Sequence, residues 1–323
     1  MNRRRILKTL PLAALALTPA WSRAQAYPGR PVVLLVGAPA GTVPDSLARP
    51  VAERLSVLLG QAVVVENRPG AGGALSITAL SRSAPDGYTL ALATMSQAIF
   101  NTYLFPKLPY DPIRDLEPVA PLVTGAMTLA AHPSFPASTL PEFIALAKAR
   151  PGTLFMAIPQ LGTPPHIVAL LLSRVAGIDV TMVPHKSGSD AMNAVMSGEI
   201  PLLLDAPTIM AGPIQAGRLK ALAVTGRQRE PLLPDTPTAA ESGINLQGEA
   251  WIGLVAPRGT PTAVVQRLNR DLAAIMATPD MRNQMARLGF RTLASTPEEF
   301  RALIRDEHVK WGVAIREAGL KLE

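Results

Sequence analysis

The residue types that carry most enzymatic chemistry are sparse in this chain and lie far apart. Its 323 residues contain no cysteine and four histidines, which are His132, His166, His185 and His308. The distances between these histidines in the sequence do not match those of metal ligands, and neither an H-E-x-x-H motif nor a G-x-S-x-G elbow occurs. We therefore expect no catalytic residue, no bound metal and no cofactor.

Polar residues gather instead where short apolar runs end. Five times, such a run gives way to a loop rich in Gly, Pro, Ser and Thr and then to an amphipathic segment. The first N–H groups of a helix have no partner within the helix and lie at the positive end of its dipole. Several such junctions around one cleft would hold a small anion. The loops are residues 37–45, 93–98, 162–166, 184–190 and 204–208.

The candidate ligand contacts in these loops share an accessible N–H, hydroxyl, amide or ionisable group, or shape the loop that presents one. In chain order they are Ala38, Pro39, Gly41, Thr42, Asp45, Thr94, Ser96, Gln97, Gly162, Thr163, His166, His185, Lys186, Ser187 and Asp205.

Three of the candidates, Thr42, Asp45 and Ser187, also have a purely structural interpretation. Thr42 with Asp45, and Ser187 with Asp190, have the S/T-x-x-D spacing of a capping box, which would only start a helix. Asp45→Ala is then expected to cost mainly stability. Both interpretations stay open from sequence.

The ionisable candidates bear on the type of ligand. His166, a single histidine at a helix start, suits packing as well as ligand binding, and His185 would make affinity depend on pH if it faced the cleft. Lys186 fits a solvated charge equally well. Asp205 would repel a carboxylate unless the ligand also carried an amine or hydroxyl, whereas a helix-capping Asp205 would say nothing about the ligand.

The apolar pattern predicts the elements that position the loops. Strands are predicted at residues 32–36, 62–66, 89–93, 127–131, 154–158, 180–183, 200–204, 221–225 and 252–256. Helices are predicted at residues 44–59, 74–83, 140–149, 165–176, 189–196, 207–216, 261–277, 280–288 and 297–318. Strands that alternate with helices imply βαβ units, a largely parallel sheet and an α/β protein.

Two irregular stretches divide this pattern. The Pro-rich segment 105–112 predicts a surface loop, and a second irregular segment covers residues 229–237. The strands that follow suggest that the chain leaves one domain near Gly125 and returns near Glu249 or Ala250. Two crossings make a hinge, and ligands of such folds bind between the domains.

The amino terminus has the pattern of an export signal. Arg3, Arg4, Arg5 and Lys8 form a basic region, residues 6–17 form an apolar stretch, and an A-x-A site occupies residues 24–26. The apolar run is shorter than the ~20 residues of a spanning helix, so a membrane anchor is disfavoured. We expect a signal peptide at residues 1–26 and a periplasmic protein. Sec and twin-arginine export both fit.

Removing this segment changes the charge balance. The whole chain carries 31 basic and 24 acidic residues, a net charge of +7, and five of the basic residues lie within residues 1–26. The remainder has a net charge of +2, from 26 basic and 24 acidic residues. A nucleic-acid partner therefore has little support.

Longer motifs carry a resemblance to a known family. They are residues 27–28, 66–73 (ENRPGAGG), 84–90 (APDGYTL), 108–115 (LPYDPIRD), 222–225, 233–238 and 296–300. In this order, and over essentially the whole exported part, the chain resembles the Bug-type substrate-binding receptors of tripartite tricarboxylate transporters. It departs from their usual pattern at Ala38, Thr42 and His185, where the family shows Phe, Gly and Tyr.

The resemblance implies a fold and a function. The fold would be a two-domain type II periplasmic binding protein, the Venus flytrap, with a ligand cleft between its lobes. Lobe 1 would hold residues 27–125 plus 251–323, and lobe 2 residues 126–250. The protein would be a monomer that captures a small carboxylate, an organic or amino acid, for the membrane subunits of the transporter, without catalysis. The alternative is an exported carboxylate sensor that is not coupled to transport.

Overall fold

The computed structural model describes residues 27–321, so the predicted signal peptide lies outside the described residues. Its strands are β1 (Val32–Val36), β2 (Val63–Asn67), β3 (Thr89–Thr94), β4 (Leu116–Ala126), β5 (Thr128–Ala131), β6 (Phe155–Ile158), β7 (Thr181–Pro184), β8 (Leu202–Asp205), β9 (Lys220–Val224), β10 (Glu249–Pro257) and β11 (Arg291–Thr292). Its helices are α1 (Val43–Leu59), α2 (Ala74–Ser81), α3 (Asn101–Leu104), α4 (Leu140–Ala149), α5 (Pro164–Ala176), α6 (Gly188–Met196), α7 (Pro207–Gln215), α8 (Thr262–Ala277), α9 (Pro279–Arg287) and α10 (Pro297–Glu317).

The strands form two sheets. The first has the order β11-β4-β10-β3-β1-β2 and the second the order β7-β6-β8-β5-β9. Strands β1 to β3 are parallel, as are β6 to β8, but β10 runs antiparallel to β3 and β4, and β5 antiparallel to β8 and β9. The α/β class is confirmed. Each sheet is mixed: four strands run in one direction, whereas β10 and β11 in the first sheet and β5 in the second run against them.

The predicted strands and helices are all present, with ends shifted by a few residues. The prediction missed β4, which carries two prolines, Pro118 and Pro121. The register between β4 and β10 shifts next to both prolines, opposite Val255 and Gly253. Such bulges accommodate residues that lack an N–H donor, which explains why a strand survives there. The prediction also missed β11, α3 and a π-helical segment at Ser96–Phe100.

Helix α10 holds the cleft-forming segments in place. It begins with a capping box, in which Thr296 and Glu299 exchange side-chain-to-backbone hydrogen bonds of 2.9 and 3.2 Å. Its buried Trp311 packs edge-on against Phe100 of the π-helical segment, with ring centroids 5.7 Å apart. Its Phe300 packs in the same way against Trp251 of β10, at 5.1 Å. Aromatic packing therefore ties both segments to one helix.

A charged cluster lies where the chain passes between the sheets. Arg291 of β11 hydrogen-bonds Glu249 at the start of β10, and its guanidinium lies 4.0 Å from the buried carboxylate of Glu230. Glu230 also accepts a hydrogen bond from the Ala126 N–H (3.3 Å). The cluster thus joins the outgoing and returning strands to the loop before β10.

Within residues 27–321, no helix is long and apolar enough to span a bilayer.

Candidate ligand-binding site

A cleft of about 750 Å³ lies between the two sheets. The loops after β1, β3, β6 and β8 line it, as do the crossing strands β4 and β10. The structure brings together these predicted residues: Ala38, Pro39, Thr42, Thr94, Ser96, Gln97, Gly162, Thr163 and Asp205. The lining does not include Gly41, Asp45, His166, His185, Lys186 or Ser187.

The loop after β1 is held by a buried aspartate. Asp45 accepts hydrogen bonds from the Gly41 N–H (2.9 Å), from Arg49 (2.8 and 2.9 Å) and from Asn67 (3.0 Å). The Arg49 hydrogen bonds, aided by the Gly41 N–H, lower the pKa of Asp45 to about 2. Gly41 has φ +78°, which lets its N–H meet this carboxylate.

The T-x-x-D capping box does not form at this loop. Thr42 accepts no bond at the helix start, and its hydroxyl instead donates to the Pro39 carbonyl (2.6 Å). The partners of Asp45 are Gly41, Arg49 and Asn67, so it braces the loop from behind the cleft. The spacing alone does not distinguish this bracing from a capping box.

The loop after β3 continues directly into the π-helical segment. Gln97 accepts hydrogen bonds from the Thr94 N–H (2.8 Å) and hydroxyl (3.1 Å), and its amide donates to Gly73 (3.3 Å). Ser96 donates across the cleft to the carbonyl of Gly162 (3.3 Å). Gln97 is thus committed to holding the loop, and Ser96 touches both sides of the cleft.

The loop after β6 uses its histidine internally. The Gly162 N–H donates to Nδ1 of His166 (3.1 Å), and burial lowers the pKa of this histidine to about 4. His166 is therefore neutral at physiological pH, with Nδ1 as an acceptor. The Thr163 hydroxyl donates to the Gln160 carbonyl (2.6 Å) and so shapes the same turn.

The loop after β7 lies outside the cleft lining. The His185 ring contacts the Val183 carbonyl (3.0 Å), and Lys186 is exposed. Ser187 caps α6 by accepting the Asp190 N–H (3.1 Å), as its structural interpretation predicted. Gln160 donates to the Lys186 carbonyl (2.9 Å), which links this loop to the cleft wall.

Asp205 ends β8 at the cleft and is 7% exposed. One carboxylate oxygen accepts the Ala206 N–H (2.7 Å), whereas the other has no hydrogen-bond partner in the described protein and lies against Gly188. Burial raises the pKa of Asp205 to about 6. Among the described residues that line the cleft, Asp205 is the one ionisable group.

Anion donors must therefore come from neutral groups. The backbone N–H groups of Ala38, Leu161 and Thr163 form no hydrogen bond within the described range, and all three residues line the cleft. They belong to the loops after β1 and β6, so both sides of the cleft contribute. Groups of this kind bind a carboxylate without a basic side chain.

Sequence reasoning missed the apolar part of the wall. The lining includes Leu92, Met127, Leu161, Ile252 and Phe290, which come from both sides. Apolar residues next to strand ends have no sequence feature that separates a cleft wall from a core.

In residues 27–321, no group of three or more His, Cys, Asp or Glu could hold a metal ion.

Residues 47–320 match the family TctC, described as the tripartite tricarboxylate transporter family receptor. The chain belongs to the TctC family. Protein BugT of Bordetella pertussis is 32% identical over 326 residues, covering 100% of both chains. The predicted resemblance to Bug-type receptors is thus confirmed.

Solved structures agree with the TctC assignment. "R. palustris Rpa4515 with adipate" superposes with a TM-score of 0.79 at 30% identity, covering 92% of this chain and 100% of that one. MatC from Rhodopseudomonas palustris with bound malate gives a TM-score of 0.75 at 32% identity, covering 90% and 100%. In both cases the match covers the whole of the solved chain. The expected periplasmic binding protein fold, with a cleft between two lobes, is confirmed.

Proposed function

We propose that the protein is an extracytoplasmic receptor that binds a small carboxylate in the cleft for a tripartite transporter, and that it does not transform its ligand. The observation that carries the proposal is that Ala38, Leu161 and Thr163, whose backbone N–H groups form no hydrogen bond in the described protein, line one cavity whose described lining has no basic side chain. The relatives that hold adipate and malate support it.

We assign the contacts to the predicted residues that line the cleft. The N–H groups of Ala38 and Thr163 would hold the carboxylate, while the Thr42 and Ser96 hydroxyls, which donate to Pro39 and Gly162, would fix the shape of the cleft around it. Asp45 and His166 would act indirectly, by shaping the loops that carry those N–H groups.

Binding should close the two lobes. We propose residues 27–125 plus 251–323 as lobe 1 and residues 126–250 as lobe 2, with the hinge at the crossings beside Ala126 and Glu249. A ligand that contacts both lobes favours the closed form by its higher affinity for it. The closed receptor would then present a composite surface to the membrane subunits. We propose a monomer, exported by an N-terminal signal.

The test is a thermal-shift screen of the purified protein with mono-, di- and tricarboxylates and amino acids. A ligand at about 100 times its Kd stabilises the fold by ~2.7 kcal/mol, which a melting curve resolves. The amide of each acid is the matched control, because it keeps the shape and removes the charge. Stabilisation by an acid but not by its amide is the expected result. If no acid stabilises the protein, or if mass spectrometry detects conversion of one that does, the proposal fails.

Closure can be followed through a tryptophan. Trp251 lines the cleft, and its indole N–H has no partner in the described protein. In a Trp311→Phe background, Trp251 is the one tryptophan of residues 27–323. Its emission should change with the same midpoint as the heat of binding. An unchanged spectrum at saturation would argue against a ligand in this cleft.

A further inference from the structure

The wall of the cleft is largely apolar on both sides. Leu92 and Ile252 lie on strands of the first sheet. Met127 lies between β4 and β5, and Leu161 lies in the loop after β6 of the second sheet. Leu161 is 44% exposed, and so is Val43, which lines the cleft from the start of α1. An apolar ligand would bury these side chains, whereas a short polar acid would leave them in water.

The cleft also has space beside Ala38. Ala38 is half-buried, packs against the apolar cluster of the first sheet, and lines the cavity of about 750 Å³. Its backbone is anchored, because the Asn67 amide donates to its carbonyl (2.9 Å). Pockets of about 300–1,000 Å³ accommodate ligands much larger than a short-chain acid. The free volume therefore accommodates a bulky ligand.

The charge of the cleft opposes a second ligand carboxylate. Asp205 is the ionisable group in the described lining, and its oxygen without a hydrogen-bond partner is buried against Gly188. No Lys, Arg or His among the described lining residues offsets it. Each additional negative charge on a ligand would meet this carboxylate in a site of low dielectric. One ligand carboxylate can use the unpaired N–H groups, but a second has no cationic partner.

Together these features define a ligand class. We infer that the receptor binds a monocarboxylate with a bulky apolar body, aromatic or branched aliphatic, and discriminates against di- and tricarboxylates through Asp205. This inference rests on the proposed function and narrows it. Ala38 sets the size of the apolar body, and Asp205 sets the number of charges.

Matched acids test the inference on the native protein by calorimetric titration. Hexanoate and adipate share a chain length and differ by one carboxylate, whereas propanoate, hexanoate and 4-phenylbutanoate differ in apolar size. We expect hexanoate to bind at least about tenfold more tightly than adipate. Each buried methylene should add about fourfold in affinity, so 4-phenylbutanoate should bind most tightly.

Two variants assign the roles. Ala38→Phe should weaken 4-phenylbutanoate binding by about tenfold or more and affect propanoate less, because the ring occupies the space of the ligand body. Ala40→Phe, at an exposed position of the same loop outside the lining, is its control. Asp205→Asn should strengthen adipate binding severalfold and hexanoate binding by less, because adipate carries one more carboxylate.

The outcomes separate this inference from the proposed function. If adipate, malate or citrate binds the native protein as tightly as hexanoate and 4-phenylbutanoate, the inference is overturned and the carboxylate receptor stands. If no acid of any kind binds, the receptor proposal fails and the inference with it. The native ligand series decides the matter even if a variant does not fold.

Discussion

The Ser96 hydroxyl donates a hydrogen bond to the Gly162 carbonyl at 3.3 Å, and this contact joins the loop after β3 to the loop after β6 across the cleft. The two residues are 66 positions apart in the chain. The described conformation is therefore one in which the two sides of the cleft touch. A ligand that closes the lobes would stabilise the same contact.

Ser96→Ala should favour an open form. Loss of one hydrogen bond of ~0.5–1.5 kcal/mol should weaken the tightest acid from the screen by about two- to tenfold. Small-angle scattering of the ligand-free variant should give a larger radius of gyration. Ser83→Ala is the matched control, because the Ser83 hydroxyl, just after α2, donates to the carbonyl of Ala79 away from the cleft. Unchanged affinity and scattering would mean that the Ser96 contact does not hold the lobes together.

Asp45→Ala should cost stability, because Asp45 braces its loop through Gly41, Arg49 and Asn67. The pKa of Asp45 is lowered to about 2 in the folded protein, so its contribution is present above the unfolded pKa and is lost as pH falls toward the folded value. We expect a loss of ~2 kcal/mol near neutral pH in urea unfolding.

The acid dependence provides the check on this prediction. Between about pH 5 and pH 2, the native protein should lose more stability than Asp45→Ala, so the two unfolding curves should approach each other. Asp306→Ala removes an exposed aspartate of α10 and should leave the acid dependence unchanged. Parallel pH profiles for the native protein and Asp45→Ala would refute the bracing role.

Gly188→Ala should displace Asp205. A methyl group at Gly188 would collide with the unpartnered carboxylate oxygen of Asp205 and approach Ile209 to 3.1 Å. We expect a destabilisation of ~1–3 kcal/mol from overpacking. Gly212→Ala is the control, since a methyl group there meets no atom within 4 Å and α7 should tolerate or gain from alanine. Equal melting temperatures for both variants would contradict the tight contact.

Arg291→Met should destabilise the crossing between the sheets by ~1–3 kcal/mol, because it leaves the buried Glu230 without its cation. Burial already raises the pKa of Glu230, and Arg291 lowers it. Since the folded state then holds the Glu230 proton more tightly than the unfolded state, the penalty should grow as pH rises. Adding Glu230→Gln should recover stability at high pH. A penalty independent of pH would exclude this mechanism.

Much of the local structure was readable from the residues. The predicted strand at residues 127–131 and helix at residues 140–149 appear as β5 (Thr128–Ala131) and α4 (Leu140–Ala149). Apolar periodicity and caps operate within about ten neighbouring residues, so one sequence window contains their cause. Strand β4 was hidden because Pro118 and Pro121 argue against a strand, and the bulges that admit them depend on β10, more than a hundred residues later.

The sequence by itself determined that loops able to present N–H groups follow the strands, that the chain has no cysteine and four scattered histidines, and that the chain resembles a receptor family. The tertiary structure decided which of those residues meet. It turned Asp45 and His166 inward to brace their loops, kept Ser187 at a helix cap, and brought Asp205 and Trp251 to one cavity. The physical reason is that the direction of a side chain is set by partners from distant elements, such as Asn67 for Asp45, and no local pattern encodes those partners.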